Sequence, residues 1–231
     1  MLRLSGVVGL SMLGVLLMAY PAQATLYGFY GITNTSETNT DIGEAQLFVD
    51  VLNGNGQARF RFWNVGLSTC SITDVYFDDG TLLTLDSIVD ADEGGGHSGV
   101  DFSVNASPGN LPSGGEPGID FYADEGFTAD SDSPPPAWGV QNSDPGDEWL
   151  EIQFSLNADG TLQDVLDELS DGSLRIGIHV QAFDAGGSES FINNPYPVPE
   201  PGSISLLALG GLGLLRTRRR RREALRATRG R

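Results

Sequence analysis

Asp90-Ala91-Asp92-Glu93-Gly94-Gly95 sets carboxylates at the first and third places of a loop and a glycine at the sixth, and Asp101 falls at the twelfth. Hard cations such as calcium are held by several oxygen ligands, and loops supply them at such intervals. The match to a calcium loop is partial. The fifth place is Gly94, the twelfth is aspartate rather than glutamate, and the flanks read as strand or coil instead of helix. Asp90, Asp92 and Asp101 are the candidate metal ligands and calcium the candidate cofactor, with solvated turn chemistry as the competing reading.

Other chemistries find less support. His97 lies in Gly94-Gly95-Gly96-His97-Ser98-Gly99, where no lysine follows and no helix opens, so a phosphate-cradling loop is not implied. His179 shares a strand face with Arg175 and Gln181 and reads as a solvated or hydrogen-bonded residue. Ser188, in Gly187-Ser188-Glu189-Ser190, lacks the second glycine of a nucleophile elbow. Glu148 and Glu151 have the types of a glycosidase acid–base pair, yet among 31 acids any two could be nominated. Cys70 is the single cysteine, so no intrachain disulfide forms, and it reads as a small buried filler. No catalytic residue is assigned, and the chain is read as not an enzyme. Trp63, Trp138 and Trp149 offer flat rings that stack on sugars or fill a core.

The charge is unevenly spread. The chain has no lysine, and nine of its 13 arginines lie in residues 216–231. Residues 25–195 carry 29 acids against Arg59, Arg61 and Arg175, a balance of −26 where the whole chain has −18. Such a body repels phosphates, which excludes nucleic acid as a partner.

The elements that must position these residues are short alternating runs between Gly, Asp, Asn and Ser clusters, the pattern of an all-β domain. Residues 45–51 turn Leu47, Val49 and Val51 to one side. Asn53-Gly54-Asn55-Gly56 makes a hairpin, and the return strand, 57–63, puts Ala58, Phe60 and Phe62 inward with Arg59, Arg61 and Trp63 outward. Further strands are predicted at 71–77, 82–85, 100–104, 149–156 and 174–183, and residues 105–148 are predicted to be mostly loop. One helix is expected, with Asp159 or Thr161 as cap, Leu162, Val165, Leu166 and Leu169 on one face, and a stop at Asp171-Gly172. The expected architecture is a β-sandwich or jelly-roll-like domain with one short helix, spanning residues 25–195.

Both ends are apolar. At the start, Arg3 precedes an uncharged run over residues 7–18, Pro21 breaks it, and Ala22-Gln23-Ala24 has the small-x-small form of a cleavage site. Residues 1–24 are therefore read as a signal peptide removed after Ala24 by signal peptidase. At the finish, residues 203–215 are uncharged. As a helix they reach ~20 Å, short of a ~30 Å hydrocarbon core. Arg216, Arg218, Arg219, Arg220, Arg221 and Arg222 follow as a basic stop that stays cytoplasmic. This makes a weak transmembrane helix, suited to a processing step at the inner membrane.

Val198-Pro199-Glu200-Pro201, then the apolar run, then the arginine cluster, resembles the PEP-CTERM sorting signal of Gram-negative bacteria. The resemblance covers residues 196–231, with Pro199, Glu200 and Pro201 matching its motif. It implies recognition by a membrane-embedded exosortase, cleavage near the proline motif and delivery to the cell envelope or extracellular matrix. Residues 174–191 also resemble a segment of uncharacterised PEP-CTERM proteins, without implied chemistry. The expectation is an exported, non-catalytic matrix protein with an adhesive or structural role and extracellular polysaccharide as its partner. The alternative is a secreted carbohydrate-binding module or hydrolase on the same scaffold.

Overall fold

A computed structural model describes residues 24–54, 56–90, 99–124, 128–131, 135–142, 148–157 and 159–199. In chain order the elements are β1 (Thr25–Gly31), α1 (Glu37–Gln46), β2 (Leu47–Asn53), β3 (Gln57–Asn64), β4 (Ser71–Asp78), β5 (Leu83–Asp90) and β6 (Phe102–Val104). There follow β7 (Thr128–Ser131), α2 (Pro135–Trp138), β8 (Val140–Gln141), β9 (Leu150–Leu156), α3 (Leu162–Asp171), β10 (Arg175–Gln181) and β11 (Glu189–Asn193).

All the strand pairings are antiparallel, and β1 joins two sheets. The first sheet runs β5-β9-β3-β2-β1 and the second β1-β11-β10-β4-β7-β6, with β8 also on β4. The first half of β1 pairs with β2, from Thr25 opposite Val51 to Gly28 opposite Phe48. Its second half pairs with β11, from Phe29 opposite Asn193 to Gly31 opposite Phe191. One strand thus turns the corner and makes the eleven-stranded surface barrel-like. The expectation of an all-β domain holds.

Alternation explains how the halves meet. In β3, Ala58, Phe60 and Phe62 are fully buried while the residues between them are half-buried. Leu150, Ile152 and Phe154 of β9 and Ile176, Ile178 and Val180 of β10 turn inward in the same way. Phe77 of β4 lies between the sheets, 5.1 Å from Phe60 and 4.7 Å from Phe154 between ring centroids, edge to face. Such pairs add to the apolar burial that drives the sheets together.

Among the described residues three helices form rather than one. The expected one, α3, has its cap at Thr161, whose side chain accepts from the Asp164 N–H while the Asp164 carboxylate accepts from the Thr161 N–H at 2.7 Å. Gly172 ends it with φ +83°, the left-handed conformation that favours glycine. Helix α1 takes residues 45 and 46 from the expected strand, which starts at Leu47 instead. Its residues carry little apolar periodicity, and packing holds it. Gly43 sits where a Cβ would be 2.1 Å from the Phe191 ring, and the buried Gln46 donates to Asn64 Oδ1 and the Ser68 carbonyl, both at 2.8 Å.

Residues 105–148 are less irregular than expected. They include β7, α2 and β8, and residues 105–124 form a cover on the outside of the second sheet. Ala106, Leu111 and Phe121 pack there on Tyr76 and Ile192. Gly177 makes room: a Cβ at that position would lie 2.8 Å from Leu111 and 2.9 Å from Phe121.

Candidate functional site

The outer face of the first sheet gathers two of the three body arginines. Strand pairing sets Asp50 of β2 opposite Arg61 of β3, and Arg61 opposite Glu151 of β9. Arg61 donates from Nε and Nη2 to Glu151 Oε2 at 2.9 and 2.6 Å, and Arg59 Nη1 reaches Oε1 at 3.4 Å. Gln153 Nε2 donates to the same Oε1 at 2.8 Å. Glu151 is 2 % exposed, and these donors take the place of water around its carboxylate oxygens. The Arg61 guanidinium lies 4.5 Å from the centre of the Trp149 ring and 5.8 Å from that of Trp63, within range of cation–π attraction. The Trp63 indole N–H donates to Asp50 Oδ2 at 2.8 Å. Burial raises the Asp50 pKa, opposed by that hydrogen bond and by the Arg61 charge. Asp50, Glu151, Arg59 and Arg61 balance in formal charge, and Asp86, which accepts from Gln57 and Ser155, adds one more acid at the edge of the face. Trp138 lies apart, in α2.

The two ends of the body lie together. Strand β1 begins at Thr25, directly after Ala24. Beyond β11 the chain runs back along the first half of β1: the Asn194 N–H donates to the Gly28 carbonyl at 2.8 Å and the Val198 N–H to the Leu26 carbonyl at 2.7 Å. The return packs at van der Waals distance over Gly28, where a Cβ would lie 3.5 to 3.8 Å from Asn194, Phe48 and Val198. Pro199 therefore emerges beside the expected mature N-terminus. Ala22, Glu200, Pro201, Arg216, Arg218, Arg219, Arg220, Arg221 and Arg222 lie outside the described residues, as do the signal peptide and the terminal apolar run. Among the described residues no helix is long and apolar enough to cross a membrane.

The family model for the PEP-CTERM protein-sorting motif matches residues 197–221. The chain carries this sorting motif at its C-terminal end. The match spans Pro199, Glu200 and Pro201 and the basic residues up to Arg221. No match was found among curated proteins or among solved structures. The motif marks the chain for export, passage through a membrane-inserted stage and processing by an exosortase.

Elsewhere in the body, strand pairing sets His179 of β10 between Asp74 of β4 and Ser190 of β11. His179 Nδ1 is 3.3 Å from Ser190 Oγ. Sequence reasoning singled out Ser188, which is half-buried, because only the β10–β11 register reveals Ser190 as the neighbour. Ser190 is 1 % exposed, so its hydroxyl offers no attack position to a substrate from solvent. Burial lowers the His179 pKa, against the Glu189 charge, and burial raises that of Asp74 to about 6. Glu189 is engaged in holding the turn before α1, accepting from Thr33 Oγ1 at 2.6 Å and the Ser36 N–H at 2.8 Å.

The remaining candidates have local partners. Asp90 Oδ2 accepts from the Phe102 N–H at 3.2 Å, and the Asp101 N–H donates to the Trp138 carbonyl at 2.9 Å, while Asp92 lies outside the described residues. Among the described residues no three His, Cys, Asp or Glu side chains group as a metal site. Glu148 Oε2 accepts from the Gln141 N–H at 2.8 Å. Cys70 is buried among amide donors, Gln46 Nε2 standing 3.1 Å from its Sγ, and burial pushes its thiol up to about 11. A thiol so placed is inert.

Proposed function

We propose that this exported protein is a non-catalytic component of the envelope or extracellular matrix. After its sorting tail is processed, it holds extracellular polysaccharide on the outer face of the first sheet. The observation that carries the reading is the Trp63–Arg61–Trp149 layer. Of the three arginines in the body, Arg61 lies against both tryptophan rings, and Arg59 shares its Glu151 partner on the same sheet face. Rings held in this way present broad apolar surface at low entropic cost, as sugar-binding surfaces require. The burial of Ser190 and the local engagement of Glu148 and Glu151 favour binding over hydrolysis.

The test is genetic and chemical together. A strain lacking the protein should shed cell-bound polysaccharide. The wild-type gene should restore retention, and a Trp63→Ala/Trp149→Ala gene should not, although its product is exported in equal amount. Equal retention with both genes would remove the proposed function.

A further inference from the structure

We propose that the outer face of the first sheet takes a neutral hexose chain, not a uronate-bearing or otherwise anionic polymer. This rests on the polysaccharide reading above and specifies its ligand class. Three observations point the same way.

The first is charge. The guanidiniums of Arg59 and Arg61 are both turned to Glu151, and Asp50 stands opposite Arg61 in the ladder. A carboxylate-bearing chain would need a guanidinium free to fork onto it. Here both are committed to a carboxylate that is itself almost wholly buried. Outside this layer the body is strongly acidic, so an anionic polymer meets repulsion within about 8 Å of the surface at physiological salt.

The second is shape. Trp63 is paired with Phe48 of β2, and Trp149 precedes Leu150, which pairs with Phe62. Trp149, Trp63 and Phe48 therefore form a row across β9, β3 and β2. Adjacent strands are ~4.8 Å apart, so the row spans about 10 Å, the scale of a short oligosaccharide. All three side chains are half-buried, steady enough to keep their orientation and open enough to touch a ligand. The row stops where Val198 and Asn194 lie over Gly28.

The third is the polar fringe. Asp50 lies next to the rings, and Gln57 and Gln153 lie farther along β3 and β9 on the same face, their amides donating to Asp86 and Glu151. Their amide and carboxylate groups match the hydroxyls of a sugar ring, whose apolar C–H face stacks on indole.

The experiment is affinity electrophoresis of the full chain, purified in detergent, through gels holding dextran, galactomannan, alginate or polygalacturonate. The expected result is retardation by a neutral polymer that persists at high salt. Trp149→Ala should weaken it at least about tenfold, and Trp149→Phe should keep most of it, the scale of losing one central aromatic contact. Thermal melting of each variant separates lost binding from lost fold. Retardation by alginate or polygalacturonate alone, abolished by salt and by Arg61→Gln, would overturn the inference and leave the polysaccharide reading standing. No retardation by any of the four polymers would overturn both.

Discussion

Asp74 should make the protein less stable as the pH rises through the mildly acidic range, and Asp74→Asn should remove that loss. The carboxyl is 4 % exposed, in the middle strand of the second sheet. It accepts from Thr73 Oγ1 at 2.7 Å. Asp130 is its cross-strand partner on β7 and His179 its partner on β10. The Tyr76 hydroxyl, which donates to the Pro108 carbonyl at 3.1 Å, also lies within hydrogen-bonding reach. Burial is the main cause of its raised pKa, and the Asp130 charge adds to it.

The unfolded carboxyl loses its proton near pH 3.8 and the folded one at about 6. Between those values the folded chain binds more protons, so stability falls as pH rises, and the loss is complete above about 6. Two pKa units at ~1.4 kcal/mol each give about 3 kcal/mol. Asparagine keeps a carbonyl for Thr73 and never ionises. Urea unfolding should therefore find the variant equal to wild type near pH 4 and more stable by up to about 3 kcal/mol at neutral pH. His179 works in the opposite sense, losing stability as pH falls below 6.5 because burial disfavours its charge, but it is present in both proteins and cancels in the difference. A variant no more stable than wild type at neutral pH, or a difference that does not vary with pH, would refute the reasoning.

Other consequences follow from the same contacts. Glu151→Leu should cost about 3 kcal/mol by urea unfolding, because Arg59 and Arg61 lose the carboxylate that compensates them, and tryptophan fluorescence should change as Arg61 leaves Trp149. Gly172→Ala should cost about 1 kcal/mol by the same measurement, since φ of +83° strains any residue with a Cβ. If Asp90, Asp92 and Asp101 bind calcium, as we propose for that loop, millimolar calcium should raise the melting temperature over a chelator control. An Asp90→Asn/Asp101→Asn protein should show no such rise.

The parts of this molecule that sequence reveals are those governed by local periodicity. Alternation in β3 places Arg59, Arg61 and Trp63 on one outer face, and the capping residues of α3 mark both of its ends. What brings Trp149 and Glu151 to that face is the pairing of β3 with β9, across some 90 positions of chain. No local pattern encodes that pairing. Helix α1 escapes detection because its inward residues are Asn39, Gly43 and Gln46, which lack an apolar stripe and are held by Phe191 and Asn64. The cover over residues 105–124 escapes for a related reason. Leu111, Ile119 and Phe121 are scattered among glycine, proline and acids without a regular period, and they acquire meaning from the gap left by Gly177. Ser190 becomes the neighbour of His179 through register alone.

The most direct test is the intact mass of the protein recovered from the cell envelope or medium. The account predicts a chain that begins at Thr25 and ends at or just beyond Pro199, with the β1-bonded residues through Val198 retained. A chain running from Met1 to Arg231, found in the cytosol, would contradict it.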